Sequence, residues 1–204
     1  MIGVLALQGG FELHTKRLAE LGAECRPVTT PKDLQNLRGI VLPGGESSVF
    51  LKLASQDLRE ALHLQISNGL PTLATCAGLI FLARGVSNPA QASLNLIDVD
   101  VERNAYGRQV DSFIDANLDW TPDGTELLRL RGLETNSLEG VFIRAPRITR
   151  LGPTTTALVT KQGEPVMVQE GNVMAASFHP ELSDDKRVHA LFLSLSHLFS
   201  HRAQ

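Results

Sequence analysis

Short apolar runs alternate with helix-patterned stretches throughout the first half of the chain, and this alternation is what most restricts the fold. Ile2–Leu7 is an apolar run that ends at Gln8-Gly9-Gly10. Phe11–Leu21 then sets Phe11, Leu18 and Leu21 on one helical face, with Gly22 as the stop. Ala23–Val28 reads as a second strand, and Thr30-Pro31 opens a short helix through Leu37. Gly39–Leu42 is a third strand, ending at Pro43-Gly44-Gly45. A helical stretch from Ser47 to Asn68, broken near Ser55, follows; Gly69 and Pro71 stop it. Thr72–Thr75 is a fourth strand that runs directly into Cys76. Strands this short, joined through helices, pair in parallel with right-handed crossovers.

The second half has a different rhythm. Leu94–Glu102, Gln109–Asp115, Val141–Arg144, Ala157–Lys161, Val166–Gln169 and Val173–Phe178 read as strands. Turn signals stand at Tyr106-Gly107, Gln162-Gly163 and Gly171-Asn172. A last helix from Asp184 to Ser200 buries Val188, Leu191, Phe192, Leu195, Leu198 and Phe199. Asn117–Leu138 is polar and rich in Gly and Thr, and receives no element. The expected fold is α/β: an open, mostly parallel sheet flanked by helices, with antiparallel or mixed strands added in the second half. No internal repeat, low-complexity tract or linker divides the chain, so residues 1–204 are expected to form a single domain.

Charge narrows the partners. Nineteen Lys and Arg against 22 Asp and Glu leave a net charge of −3, so no broad basic field attracts nucleic acid or an anionic membrane surface. No apolar run approaches the roughly 18–20 residues of a membrane-spanning helix, and no basic leader precedes the first strand. A cytoplasmic location is expected. Cys25 and Cys76 are the two cysteines; one reads as strand and the other as tight turn, so reduced thiols are expected.

Cys76 lies in Leu73-Ala74-Thr75-Cys76-Ala77-Gly78-Leu79, at a strand-to-helix junction with small residues two positions either side. That is the pattern of a nucleophile elbow, with cysteine in the place hydrolases often give to serine. The helix that starts near Ala77 turns its unpaired N–H groups and positive dipole end toward the sulfur. The Ala77 N–H is then available to an oxyanion. Taken alone, Cys76 is equally well a small buried apolar group at a strand end.

Phe178-His179-Pro180-Glu181 shifts that balance. Pro180 holds His179 in extended geometry, where residues two apart project to the same side. His179 and Glu181 can both face one site, as a base and the acid that orients it. Alone, His-Pro-Glu is more often a solvated surface turn. Other candidates are weaker. His197 and His201 are four apart but have no third ligand, while His14 and His63 have no partner visible in sequence. Gly9-Gly10 and Gly44-Gly45 complete neither a dinucleotide fingerprint nor a phosphate loop, and read as tight turns at strand ends.

Together these residues resemble class I (triad-type) glutamine amidotransferases, and within them the branch formed by the glutaminase subunits of pyridoxal 5′-phosphate synthase. The resemblance runs from Ile2 to about Leu193. It rests on six ordered blocks: Gly3-Val4-Leu5-Ala6-Leu7-Gln8-Gly9, Leu42-Pro43-Gly44-Gly45-Glu46-Ser47-Ser48, Thr75-Cys76-Ala77-Gly78-Leu79-Ile80, Glu102-Arg103-Asn104-Ala105-Tyr106-Gly107-Arg108-Gln109, Gly140-Val141-Phe142-Ile143-Arg144-Ala145-Pro146 and Ser177-Phe178-His179-Pro180-Glu181-Leu182. Ala74 departs from the glycine usual in relatives, and Ile114 from a glutamate.

The resemblance implies Cys76 as nucleophile, His179 as general base and acid, and Glu181 as its orienter. It puts the L-glutamine contacts on Gly45, Glu46, Ser47, Arg103, Ile143 and Arg144; two arginines and a carboxylate suit a zwitterionic amino acid. The oxyanion donors would come from Ala77, from Gly44 and Gly45, and from the Gln8-Gly9-Gly10 loop. It also implies no metal or organic cofactor. Ammonia would pass to a barrel-shaped synthase subunit in a hetero-oligomer built on a dodecameric synthase core. The rivals are a glutaminase subunit of another ammonia-using synthase, such as the histidine-pathway enzyme, and a catalytically silent regulatory subunit. A cysteine peptidase or glyoxalase-like protein is a third, but that group places histidine directly after the nucleophile, where this chain has Ala77.

Overall fold

The computed structural model describes residues 1–103, 105 and 112–202. The expected turn at Tyr106-Gly107, the stretch 109–111 of the expected strand and most of the Glu102–Gln109 block lie outside them.

Four short strands from the first half, β1 (Ile2–Leu5), β2 (Cys25–Val28), β3 (Gly39–Leu42) and β4 (Thr72–Thr75), pair in parallel in the order β2-β1-β3-β4. The sheet continues through β12 (Val173–Ala176), which pairs in parallel with β4. Beyond it the neighbours are antiparallel: β11 (Glu164–Glu170), β10 (Thr156–Lys161), β7 (Phe113–Trp120) and β8 (Leu138–Phe142). The nine-stranded sheet is therefore a parallel core with an antiparallel extension. A second, three-stranded sheet holds β5 (Ala83–Ser87), β6 (Ile97–Glu102) and β9 (Arg147–Leu151). The Asp98 N–H donates to Glu170 Oε2 at 2.7 Å, tying the start of β6 to the end of β11.

Successive strand residues point to opposite faces, and both faces are covered. Leu5, Ile40, Leu42, Ala74 and Ala175 pack on one side with α2 (Ser47–Leu53), α3 (Gln56–Ser67) and α4 (Ala77–Leu82). Ile2, Val4, Val41, Leu73, Met174 and Ala176 pack on the other with α1 (Phe11–Glu20), α5 (Pro122–Arg129) and α6 (Arg187–Arg202). Each fully buried Val, Leu, Ile or Phe contributes roughly 1.5–3 kcal/mol, so the two-sided core is what holds the strand ends in register.

Local chemistry sets the helix starts. The Ser55 hydroxyl accepts from the Leu58 N–H at 3.2 Å, which is why the long helical stretch breaks there into α2 and α3. Thr121 caps α5 by accepting from the Gly124 N–H at 3.1 Å, with Pro122 in the first helical position. The segment expected to carry no element thus contains the end of β7, all of α5 and the start of β8. β8 stops at Phe142 rather than Arg144, because Arg144 turns to φ 46°. The helix expected from Thr30 is a single 3-10 turn, Pro31–Leu34, closed by Asn36 at φ 58°. On α6, Val188, Leu191 and Phe192 are buried as expected, whereas Leu198 is 49% exposed. No helix among the described residues is long and apolar enough to cross a membrane.

Candidate active site

The carboxyl ends of β1, β3, β4 and β12 lie side by side, and the loops leaving them converge, as ligand-binding loops do in open α/β sheets. Cys76 follows β4 directly. Its N–H donates to the Ala176 carbonyl at 2.8 Å, extending the β4–β12 ladder by one step and bringing the 177–181 segment beside it. Cys76 adopts φ 48° and ψ −102°, a strained turn for a residue with a side chain, and α4 begins at Ala77. Gly78 lies against the strand below: a Cβ there would collide with the Leu42 carbonyl oxygen. The elbow therefore needs glycine at 78, while Ala74 fits the core without exposure.

His179 is 9% exposed and Glu181 2%. His179 Nδ1 lies 2.7 Å from Glu181 Oε1. The other face of the imidazole meets the elbow across Gly44, where a Cβ would lie 2.8 Å from His179 Nδ1 and 3.3 Å from Cys76 Cβ. The antiparallel strands add a second wall. The His179 N–H donates to the Val141 carbonyl at 2.8 Å, holding the end of β8 beside the site. The Cys76 thiol then faces the Ile143 carbonyl at 3.9 Å.

Burial disfavours charge on His179, yet its hydrogen bonding and charge interactions with Cys76 and Glu181 outweigh that and raise the imidazole to about 10. Burial likewise works against the Glu181 carboxylate. His14 and His179 more than offset it, holding the acid well below the usual carboxylate range.

Beside these groups is a cleft of about 170 Å³ lined by Gly45, Glu46, Ser47, Cys76, Ile80, Arg103, Ile143, Arg144 and His179. Arg103, delivered by the end of β6, is 3.1 Å from Glu46 Oε1. Glu46 also caps α2 by accepting from the Ser48 N–H at 3.4 Å. The cleft thus offers cationic and anionic groups a few ångströms from a sulfur and an imidazole, the donor set for an amino-acid zwitterion.

Residues 4–197 match the SNO glutamine amidotransferase family. The chain belongs to that family. It is therefore a glutamine amidotransferase, with glutaminase activity. It is 48% identical over 199 residues to the pyridoxal 5′-phosphate synthase subunit PdxT of Corynebacterium glutamicum, covering 96% of this chain and 95% of that one. Against the subunit of the same name from Koribacter versatilis it is 45% identical over 194 residues, covering 95% and 94%. A crystal structure of a glutamine amidotransferase superposes with a TM-score of 0.84 at 40% identity, covering 96% of this chain and 98% of that one.

All six residues expected to contact glutamine line the cleft with Cys76 and His179. The expected oxyanion donors are less uniform. Gly45 lines the cleft; Gly44 adjoins both Cys76 and His179; Ala77 is buried directly after the sulfur. Gly10 abuts the Gly44 carbonyl, and the Gln8 side chain lies over Gly45, its Oε1 accepting from the Glu46 N–H at 3.1 Å. Among the described residues no group of three or more His, Cys, Asp or Glu is arranged to hold a metal, and His201 lies beyond the described side chains. Cys25 and Cys76 are both free thiols.

Several site residues escaped the sequence reading. Ile80 forms part of the cleft wall, and Gln91 accepts from the Ser47 hydroxyl at 2.9 Å. His14, given no partner in sequence, is fully buried 3.2 Å from Glu181 Oε2. Its position four residues before Leu18, on the buried face of α1, was the available signal.

Proposed function

We propose that this chain is the glutaminase subunit of a pyridoxal 5′-phosphate synthase, one domain over residues 1–204, working in the cytoplasm. The observation that carries the reading is the contact of His179 with Glu181 at 2.7 Å beside Cys76, at one end of a cleft that holds Glu46 and Arg103. The relatives named pyridoxal 5′-phosphate synthase subunit PdxT support the pathway.

Arg103 and Arg144 take the α-carboxylate of L-glutamine and Glu46 its ammonium, which orients the side-chain amide toward the sulfur. The Cys76 thiolate adds to the amide carbon. The oxyanion receives the Ala77 N–H and a second donor from the Gly44-Gly45 loop or the Gln8–Gly10 loop. His179, charged and held by Glu181, gives its proton to the departing ammonia, leaving a thioester on Cys76. The neutral imidazole then draws a proton from water, which attacks the thioester and releases glutamate. Ammonia passes to a barrel-shaped synthase subunit, on a dodecameric core, that builds the pyridoxal ring.

The test is glutamine hydrolysis by wild type and Cys76→Ala, each with and without a synthase subunit. Weak activity alone, stimulation by the partner and none from Cys76→Ala are expected. A Cys76→Ala variant as active as wild type would end this mechanism.

A further inference from the structure

The acid of the site is held from two sides, and only one of them belongs to the three residues above. Glu181 Oε1 faces His179; Oε2 is buried and lacks a well-aligned hydrogen bond, with His14 Nε2 at 3.2 Å. That nitrogen is also 3.3 Å from the Thr75 hydroxyl, one residue before the nucleophile. The other His14 nitrogen, Nδ1, lies 3.0 Å from His189 Nε2 on α6. Both imidazoles are completely buried. An unbroken file of groups therefore runs inward from the cleft: Cys76, His179, Glu181, His14, His189. A buried carboxylate with one oxygen uncompensated is costly.

We propose that His14, backed by His189, is a positioning residue of this site: it holds the second oxygen of Glu181, so that the first stays aimed at the His179 imidazole. The proposal rests on the glutaminase reading above. An anionic carboxylate can only accept, so for this contact His14 Nε2 carries the hydrogen, which it shares between Glu181 Oε2 at 3.2 Å and the better-aligned Thr75 hydroxyl at 3.3 Å. The Nδ1 of His14 must then accept from His189 if its ring is neutral, or donate to it if charged. His189 remains neutral, held down to about 3 by its burial and by the neighbouring charge of His14, so its Nε2 can serve in either tautomer. The other charged group facing Glu181 is Arg17 of α1, whose Nε donates to the Glu181 backbone carbonyl at 3.4 Å and whose terminal nitrogens are engaged by Asp184 and Glu20. Arg17 steadies the backbone and does not replace the contact at Oε2.

Without His14, the carboxylate is free to rotate toward Thr75 or to take up a proton, and its grip on His179 loosens. The cleft residues that hold the amino acid are untouched. The defect belongs in turnover rather than in substrate binding.

The test compares wild type with His14→Met, which fills the volume without an N–H, and His14→Gln, whose amide can donate to the same oxygen. Glutamine hydrolysis is measured in the presence of the synthase subunit. The chain alone is followed by proton NMR at the downfield resonance of the N–H between His179 and Glu181. Expected is a kcat about tenfold or more below wild type for His14→Met, with KM within about twofold, and recovery by His14→Gln to within about threefold of wild type. The downfield resonance moves or disappears in His14→Met and persists in His14→Gln. Should His14→Met fail to fold, His189→Met gives the same signs with a smaller loss, about threefold. A folded His14→Met with wild-type kcat and an unchanged resonance overturns the proposal. If wild type itself fails to hydrolyse glutamine, the glutaminase reading falls, while the NMR comparison still decides the role of His14.

Discussion

At Cys76 the backbone is held at φ 48°, ψ −102°, a conformation that costs a residue with a side chain about 1–3 kcal/mol. The strain lifts the sulfur off the end of β4 and toward His179. Replacing Cys76 removes the nucleophile in any case, but the strain predicts an unusual stability order. Cys76→Gly should melt higher than Cys76→Ala, by about 2–4 °C for each kcal/mol of strain relieved, although glycine normally costs stability. Equal melting temperatures would mean that the turn carries no strain. Arg103 makes a different prediction. It lines the cleft with a guanidinium nitrogen 3.1 Å from Glu46 Oε1, and its place in the proposed cycle is to bind the α-carboxylate. Arg103→Ala is expected to raise KM for glutamine about tenfold with kcat within about twofold, the signature of lost uniform binding in steady-state kinetics.

The elements that meet at the site tolerate very different changes. Gly78 packs against the Leu42 backbone carbonyl, which cannot yield, so Gly78→Ala should push α4 off β3 and cost about 3 kcal/mol or more in denaturant unfolding. Gly44 faces the His179 ring instead, so Gly44→Ala should displace the imidazole and abolish turnover while the unfolding midpoint moves much less. The parallel core was legible in the sequence because β1 and β3 are buried on both faces and read as short apolar runs that end at glycine turns, and β4, Thr72–Thr75, is set off by Gly69 and Pro71 before it. The elbow and the His-Pro-Glu segment were legible because their chemistry is local. β5 and β9 were not: Ala83–Ser87 and Arg147–Leu151 carry little apolar pattern, and β9 gains its place through Arg150, which pairs with Asp98 and Asp100 on β6. α5 had its start signal in Thr121-Pro122 but lies among polar residues that masked it. The Glu181–His14–His189 file was hidden for another reason: it joins three segments from opposite ends of the chain, and no spacing encodes such a meeting.

Across the whole molecule, the same buried groups set the response to pH. His179 is raised from 6.5 to about 10 on folding, so its contribution is complete below pH 6.5 and is lost as pH rises through about 10. His189 is lowered from 6.5 to about 3, so folding is penalised increasingly as pH falls below 6.5 toward 3. Glu181, also depressed, contributes above pH 4.5 and loses its contribution as pH falls through its folded value. The urea midpoint is therefore expected to peak near pH 6.5 and to decline on both sides; a midpoint still rising at pH 9 would contradict these assignments. The alkaline limb of kcat/KM should follow His179 and fall only as pH nears 10. Turnover depends on one covalent event at the sulfur that the sheet delivers beside the imidazole. The direct measurement is an acid quench during turnover with isotopically labelled glutamine, followed by peptide mass analysis. The predicted result is a labelled glutamyl adduct on the peptide that contains Cys76, absent from Cys76→Ala. Steady hydrolysis with no adduct on that peptide, or with one on another residue, would contradict the account.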